Sequence, residues 1–419
     1  MIGSHKRLKY ACYFNNLSMA VVGTLSPILF LTFHDLYGIS YTKLGFLVFI
    51  NFSTQLCIDI LMSLVSGRMN TAPLIRTMPL FTMAGFALFG LAPWIPFGSV
   101  YLWLIFGTVL FSLSAGLNEV FTSPVIASIP AENPEKEMSK LHSVYAWGTV
   151  GVVILSTLFL LLFDNKRWQW LPFLYIAVPL CAFLLFFSAK IPALNQNEPI
   201  AVEEKKNEKK LLLLCVLAIF FCGAAECTMA QWSSGYLERV LTVSKAVCDI
   251  LGVAMFGVML GLGRTLYAKL GGHISSILLF GSIFAGVCYI IVALCPIPAV
   301  TIVFCALCGL AVSMLWPGTL ILMEENTPMA GVAAFALMAA GGDLGASVAP
   351  QLMGIVIDRV SASTFAAELS VKLGLSVEQI GMKAGMLVTA IFPIIGSIIL
   401  VFIGRYFKKS RKSPDGLIE

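Results

Sequence analysis

The sequence predicts an all-α membrane protein of twelve transmembrane helices in two six-helix halves, on three observations. Hydrophobic residues fill 58% of 419 positions and charged residues 12%, against roughly half and a quarter in a soluble domain. The apolar stretches are long and lack the alternation of a strand. A spanning helix needs about 20 predominantly apolar residues, because lipid offers no partner to an unpaired backbone group. Basic residues also gather in alternate connections.

Twelve segments meet the length requirement between charges and turn residues: 10–33, 41–65, 77–96, 100–127, 138–163, 171–189, 211–236, 246–266, 273–293, 299–323, 331–356 and 384–404. The second and eighth carry polar residues inside. With a cytoplasmic N-terminus, nineteen of the 27 basic residues fall in inner connections, among them Lys6, Arg7, Lys9, Arg68, Arg76, Lys209 and Lys409. The outer side keeps Lys43, Lys166, Arg167, Arg239, Lys245, Arg359, Lys372 and Lys383. That bias predicts a multi-pass plasma-membrane protein with both termini cytoplasmic. It also accounts for a net charge of +5 without a nucleic-acid partner.

The basic stretch Met1–Lys9 precedes an apolar run too long for a signal peptide and without an Ala-x-Ala exit, so the first helix is expected to stay. Eleven cysteines show no metal spacing; Cys215, Cys222, Cys227, Cys305 and Cys308 read as small packing residues inside helices. Neither a metal nor another cofactor is expected.

The stretch IPALNQNEPIAVEEKKNEKK, polar and mixed in sign, reads as a cytoplasmic linker over 190–210. It separates an N-terminal half, 1–189, from a C-terminal half, 211–419. The halves echo each other: Gly67-Arg68 after the second helix recurs as Gly263-Arg264 after the eighth, and Pro124 late in the fourth as Pro317 late in the tenth. Such a plan suits transporters whose halves rock about a midplane site. The long connection before the last helix is expected to hold short helical turns, with capping-box spacing at Ser376-Val377-Glu378-Gln379.

Acids inside spans are costly and face a cavity or a partner. Glu119 shares its helix face with Ser112, Ala115, Thr122 and Ser123, beside Asn118, a stripe resembling a cavity wall. Glu226 lies with Cys222, Gly223, Ala230 and Ser233. Asp343 sits among Gly341, Gly342 and Gly345, which suits a close helix contact as well as a solute contact. Asp59 follows Asn51 and Gln55 on one face, and reads as a gate partner for Arg68 or Arg264. His142, Tyr145 and Thr149 form another one-face series, open to a cavity role or to packing. Trp94, Trp103, Trp168 and Trp170 fit an interfacial belt, whereas Trp147, Trp232 and Trp316 do not. Aromatic faces beside amides and acids suit a sugar ring, and suit helix packing equally.

The stretches GLNEVFTSPVIASIP and HSVYAWGTVG resemble the fourth and fifth helices of the fucose permease type of sugar:proton symporter in the major facilitator superfamily. That family carries a Glu in a G-L-x-x-x-E-T-A-x-N-P-like segment, followed by Q-x-F-N-S-x-G. Glu119 matches the glutamate, Pro124 the proline, His142 the Gln, Tyr145 the Asn and Gly148 the Gly. CGAAECTMAQWSSGYLE, MLGLGRTLYAKLGGH and LCGLAVSMLWPGTLILMEENTP resemble its seventh helix, its eighth-to-ninth junction and its tenth helix. The resemblance implies the superfamily fold, with Glu119 in proton coupling and sugar binding. It departs in the first helix, where NNLSMAVVGTLSPILF holds Asn15 and Asn16 but no acid, and after the second, where the basic signature is reduced to VSGRMNTAPLIR.

The leading expectation is a monomeric, proton-coupled transporter of a sugar or similar small polyhydroxylated solute. Glu119 and Glu226 are its proton-coupling candidates. Asn15, Asn118, Glu119, His142, Tyr145, Glu226, Trp232, Trp316 and Asp343 are its solute-contact candidates. Efflux of a lipophilic or cationic compound is the alternative within transport, and a non-transporting receptor the alternative outside it. Against an enzyme, there is no nucleophile motif, metal constellation or phosphate-binding loop.

Overall fold

The structure, a computed structural model, describes residues 2–65, 69–130, 134–192, 206–326 and 332–410. Arg68, most of the linker, and Arg411 and Lys412 of the tail lie outside them. The described residues form helices joined by short turns, without a strand. Among the described residues, ten helices are long and apolar enough to cross a membrane, or eleven if one pair bent by 43° counts as a single span.

That pair is α1 (Ile2–Ile28) and α2 (Phe30–Tyr37). Then come α3 (Tyr41–Val65), α4 (Ala72–Leu91), α5 (Val100–Ala127), α6 (Pro134–Phe163), α7 (Trp170–Tyr175) and α8 (Ala177–Ser188). Beyond the linker run α9 (Lys206–Leu241), α10 (Lys245–Val247), a π-helical stretch Cys248–Ala254, and α11 (Met255–Leu270). They are followed by α12 (Ile274–Leu294), α13 (Pro298–Val312), α14 (Leu315–Asn326), α15 (Val332–Ser361), α16 (Thr364–Leu373), α17 (Val377–Thr389) and α18 (Ile391–Ser410). The expected turns in the last connection are α16, and the capping box at Ser376 and Gln379 is formed in both directions.

Prolines set the breaks, because a ring without an N–H leaves the carbonyl four residues earlier unpaired. α7 gives way to α8 just before Pro179, α13 to α14 before Pro317, and α17 to α18 before Pro393. Two of the freed carbonyls take up side chains from other helices. Gly23, four before Pro27, accepts from Gln231 Nε2 at 3.2 Å, and Ser313, four before Pro317, accepts from Arg264 Nε at 3.0 Å.

Helices α1–α8 pack mainly on one another, as do α9–α18. The two groups meet chiefly along α3–α15, with further contacts of α6 on the π-helical stretch and α11, and of α1 on α9. Close approach at this seam comes from glycine. A Cβ on Gly45 of α3 would lie 2.9 Å from the Pro350 carbonyl of α15, and one on Gly354 would strike the Tyr41 backbone.

The aromatic core differs from the sequence expectation at one point. Trp94 and Trp170 are about half exposed, as a belt requires, but Trp168 is fully buried against Phe33 and Phe89. The turn before α7 folds its ring inward, where Nε1 donates to Tyr37 Oη at 3.1 Å.

Every ion pair between the two groups, among the described residues, lies at one end of the bundle. There Arg239 of α9 pairs with Asp35 and, at 3.2 Å, with Glu378; His34 lies 3.6 Å from Glu378, and Tyr41 Oη donates to Glu378. The Asp358 carboxylate accepts from the Tyr41 and Thr42 amides at 3.1 and 2.7 Å, so α15 caps the start of α3. At the opposite end Glu137 pairs with Lys9 and Lys140 inside the first group. Hydrogen bonds from Lys140 and then Lys9 hold its carboxyl at about 2, below its ordinary 4.5.

Candidate functional site

Two polar clusters occupy the seam. In the first, Asp59 of α3, Glu119 of α5 and Asp343 of α15 bring carboxylate oxygens within 4.8 Å of one another. Gly116 of α5 makes this possible, since a Cβ there would lie 2.9 Å from Ile58 Cβ; its absence lets α5 approach α3 one residue from Asp59. Across the seam, Gly341 and Gly345 let α15 close onto Val216 and Phe220 of α9, which fixes Asp343 between them. Asp343 is 3% exposed, Asp59 half-buried, and Glu119 keeps the most accessible surface of the three.

Both Asp59 oxygens and Asp343 Oδ2 are buried and receive no donor from a third group, but the two carboxyls are in hydrogen-bond contact with each other. Two full negative charges at this separation repel by about 3 kcal/mol at an effective dielectric of about 20. Three ionised carboxylates therefore call for a compensating proton or cation.

The sequence paired Asp59 with Arg68 or Arg264, and the structure corrects the second option. Arg264 Nη2 lies 3.0 Å from Glu226 Oε1, its Nε is held by the Ser313 carbonyl, and Asp59 meets two acids instead. Arg68 is outside the described residues. An acid's partner depends on helices far apart in the chain, which face periodicity does not report.

Glu226 and Arg264 anchor the second cluster. With Tyr145, Thr149, Thr24, Gln231 and the apolar Phe256 and Leu260 they line a cavity of about 110 Å³. That is well below the roughly 300–1,000 Å³ of a ligand pocket, so the site is closed down around this end of the seam. Tyr145 lies in electrostatic reach of both Glu226 and Glu119, which links the two clusters, and His142 is in reach of Arg264. A larger cleft of about 750 Å³ opens between Thr157, Phe163, Lys166, Lys245 and Asp249. None of the expected solute-contact residues lines it, whereas Tyr145 and Glu226 line the smaller cavity.

The remaining expected residues divide. Asn15 Nδ2 donates to Asn118 Oδ1 at 2.5 Å, and Asn118 Nδ2 to Asn16 Oδ1 at 3.2 Å. These buried amides tie α1 to α5 away from the cavity. Trp232 is 1% exposed, donates to the Pro350 carbonyl at 3.0 Å, and packs on Phe30. Trp316 packs on Gly223 and Gly342, next to Asp343. Much of the stripe read as a cavity wall is buried in packing: Ser112 donates to Asn51 of α3 at 2.6 Å and Thr122 to Asn118 within α5, and accessible surface remains at Glu119 and Ser123. Residues not anticipated are Gln231, Thr24 and the Pro317-freed Ser313 carbonyl. The proline spacing was the available signal for the last.

A family model described as Major Facilitator Superfamily matches residues 12–350. No curated protein matches the sequence. Among solved structures, a bacterial homologue of the human lysosomal transporter Spinster, inward-facing and unoccupied, is 15% identical with a TM-score of 0.70, covering 98% of each chain. A nucleoside transporter, NupG, is 10% identical with a TM-score of 0.72, covering 95% of this chain and 99% of that one. A D-xylose-proton symporter is 13% identical with a TM-score of 0.71, covering 93% and 97%.

Proposed function

From the premise that the chain belongs to the major facilitator superfamily, we propose that it is a secondary active transporter moving a small polar solute, a sugar or related polyhydroxylated compound, by proton-coupled alternating access. It crosses the plasma membrane twelve times as a monomer, in halves 1–189 and 211–419 joined by the linker 190–210, with both termini cytoplasmic. The observation that carries this reading is the seam itself: acids of both halves converge on it, while among the described residues the ion pairs joining the halves are confined to one end. A bundle latched at one end and held by exchangeable charge in the middle has the two arrangements that alternating access requires. The latched end is the outer one, so the cytoplasmic side is the open side.

Glu119 takes up the proton, since it keeps the most accessible surface of the three acids and matches the glutamate of the fucose-permease-like segment. Glu226, fixed by Arg264, offers an acceptor to solute hydroxyls, with Tyr145 on the facing helix; His142 lies outside the cavity lining, within electrostatic reach of Arg264. The sugar class rests on the fucose-permease-like residues around Glu119 and on this mix of acid, base and ring. A cationic solute is the second reading, favoured by three acids with no basic partner among the described residues.

The test is uptake into proteoliposomes of labelled sugars, with and without an imposed proton gradient. Glu119→Gln keeps size and removes the titrating group. It is expected to abolish gradient-driven accumulation while exchange between the two sides persists. Full gradient-driven uptake by the variant sinks the assignment. Efflux of organic cations with no sugar uptake replaces the substrate class.

A further inference from the structure

We propose that His34 is a proton-operated catch on the latch between the two halves: protonated, it pairs with Glu378 and holds this end shut, and neutral, it releases. His34 lies on α2 of the first half and Glu378 at the start of α17 of the second, with Nε2 3.6 Å from Oε1. The other ring nitrogen decides what that contact is worth. Nδ1 sits 2.9 Å from the Ile39 carbonyl oxygen, which can only accept, so Nδ1 carries its hydrogen in either charge state. In the neutral ring Nε2 is then a bare lone pair facing a carboxylate oxygen, and no hydrogen bond joins them. A proton on Nε2 turns the same contact into a charge-assisted tie between the halves. Stacking on Tyr41, with ring centroids 4.4 Å apart and planes 22° from parallel, keeps the imidazole in that orientation.

The charges around the ring leave a place for one more cation. Asp35 of α2 and Glu378 of α17 face Arg239 of α9, two acids against one base, and Tyr41 Oη of α3 donates to Glu378. The turn Asn165–Arg167, which also packs on α2, makes no ion pair with this group among the described residues. With His34 neutral the group carries one excess negative charge, and with His34 protonated it carries none. The His34 and Glu378 side chains are 29% and 27% exposed, so protons reach them from this face without crossing the seam. Latched, His34 holds its proton more tightly than when Glu378 has moved off. Acid therefore favours the latched form, and the advantage is lost as pH rises through the range in which an imidazole discharges. The use of the catch rests on the proposed transport reading and its topology: external acid holds the protein closed to the outside and brakes its outward opening.

The experiment is pulsed-EPR distance measurement on the full-length protein in lipid nanodiscs between pH 8 and pH 5, with spin labels carried by non-natural amino acids at Phe97 and Ile297. Both positions are exposed, one in each half, on connections at the latch end. The short-distance, latched population is expected to rise about two- to fivefold relative to the open one as pH falls, the range for a partly exposed ion pair. His34→Gln and, separately, Glu378→Gln are each expected to lose that rise. A wild-type distribution that ignores pH overturns the proposal. So does an equal rise in His34→Gln, which assigns the response to Glu119 or another acid of the seam; Glu378→Gln supplies the same test if His34→Gln fails to fold. The readout needs no solute, so a protein that shows the His34-dependent rise but takes up nothing supports the catch and overturns only the transport reading.

Discussion

At the scale of single residues, position follows from a few local facts. Pro317 has no N–H, so the Ser313 carbonyl is free; Arg264 takes it through Nε and turns its Nη2 to Glu226. A missing hydrogen bond in α14 thus orients a charge on α11 and a carboxylate on α9. Trp232 shows the opposite case, a residue of functional type used for packing. Its ring is buried, and its one polar atom is spent on the Pro350 carbonyl. Trp232→Ala is therefore expected to lower stability by about 3–5 kcal/mol, read as a fall in melting temperature. Trp232→Phe, which keeps most of the ring volume but leaves the carbonyl without its donor, costs about 1–2 kcal/mol. Weakened solute binding in Trp232→Ala at unchanged stability would return the ring to the solute site.

At the scale of elements, the seam is a choice of which helices can touch. Glycines at 45, 116, 341, 345 and 354 bring α3, α5, α9 and α15 close enough for acids on them to meet. At the latch end, Arg239 ties α9 to α2 and α17 through Asp35 and Glu378. These side chains are partly exposed, so their joint contribution is on the order of 1 kcal/mol, several-fold in the population of the latched conformer. Arg239→Ala is expected to shift that population toward the form open at this end. Probes at Leu36 on α2 and Leu373 on α16, both exposed, are expected to show a longer distance component in the variant. An unchanged distance distribution would mean that apolar packing, not the latch, sets the resting conformer.

For the whole molecule, orientation is the property that gives the latch and the open end their meaning. The distribution of basic residues predicts a cytoplasmic linker and tail and an external connection around α16. A reporter fused after Lys209 or Lys409 is expected to be cytoplasmic, and one inserted beside Lys372 external. A translocated central linker would overturn both the two-half plan and the assignment of the latch to the outer face.

The helices were legible in the sequence because each span satisfies its own backbone hydrogen bonds and must be apolar on its own account, a local requirement that composition records. Val100–Ala127 and Tyr41–Val65 coincide with the stretches read from hydropathy alone, and the Ser376 capping box is equally local. Glu119, Glu226, Tyr145 and Asp343 also stood out, since an ionisable or polar group in a span is rare wherever it points. Which of them meet was decided only by the tertiary structure. Asp59 and Asp343 lie far apart in the chain, and their encounter depends on glycine contacts between α3, α5, α9 and α15. For the same reason Asn15 and Asn118 are a buried tie between helices and Trp232 is core: a helix face is fixed by period, but the neighbour it faces is fixed by packing across the whole bundle.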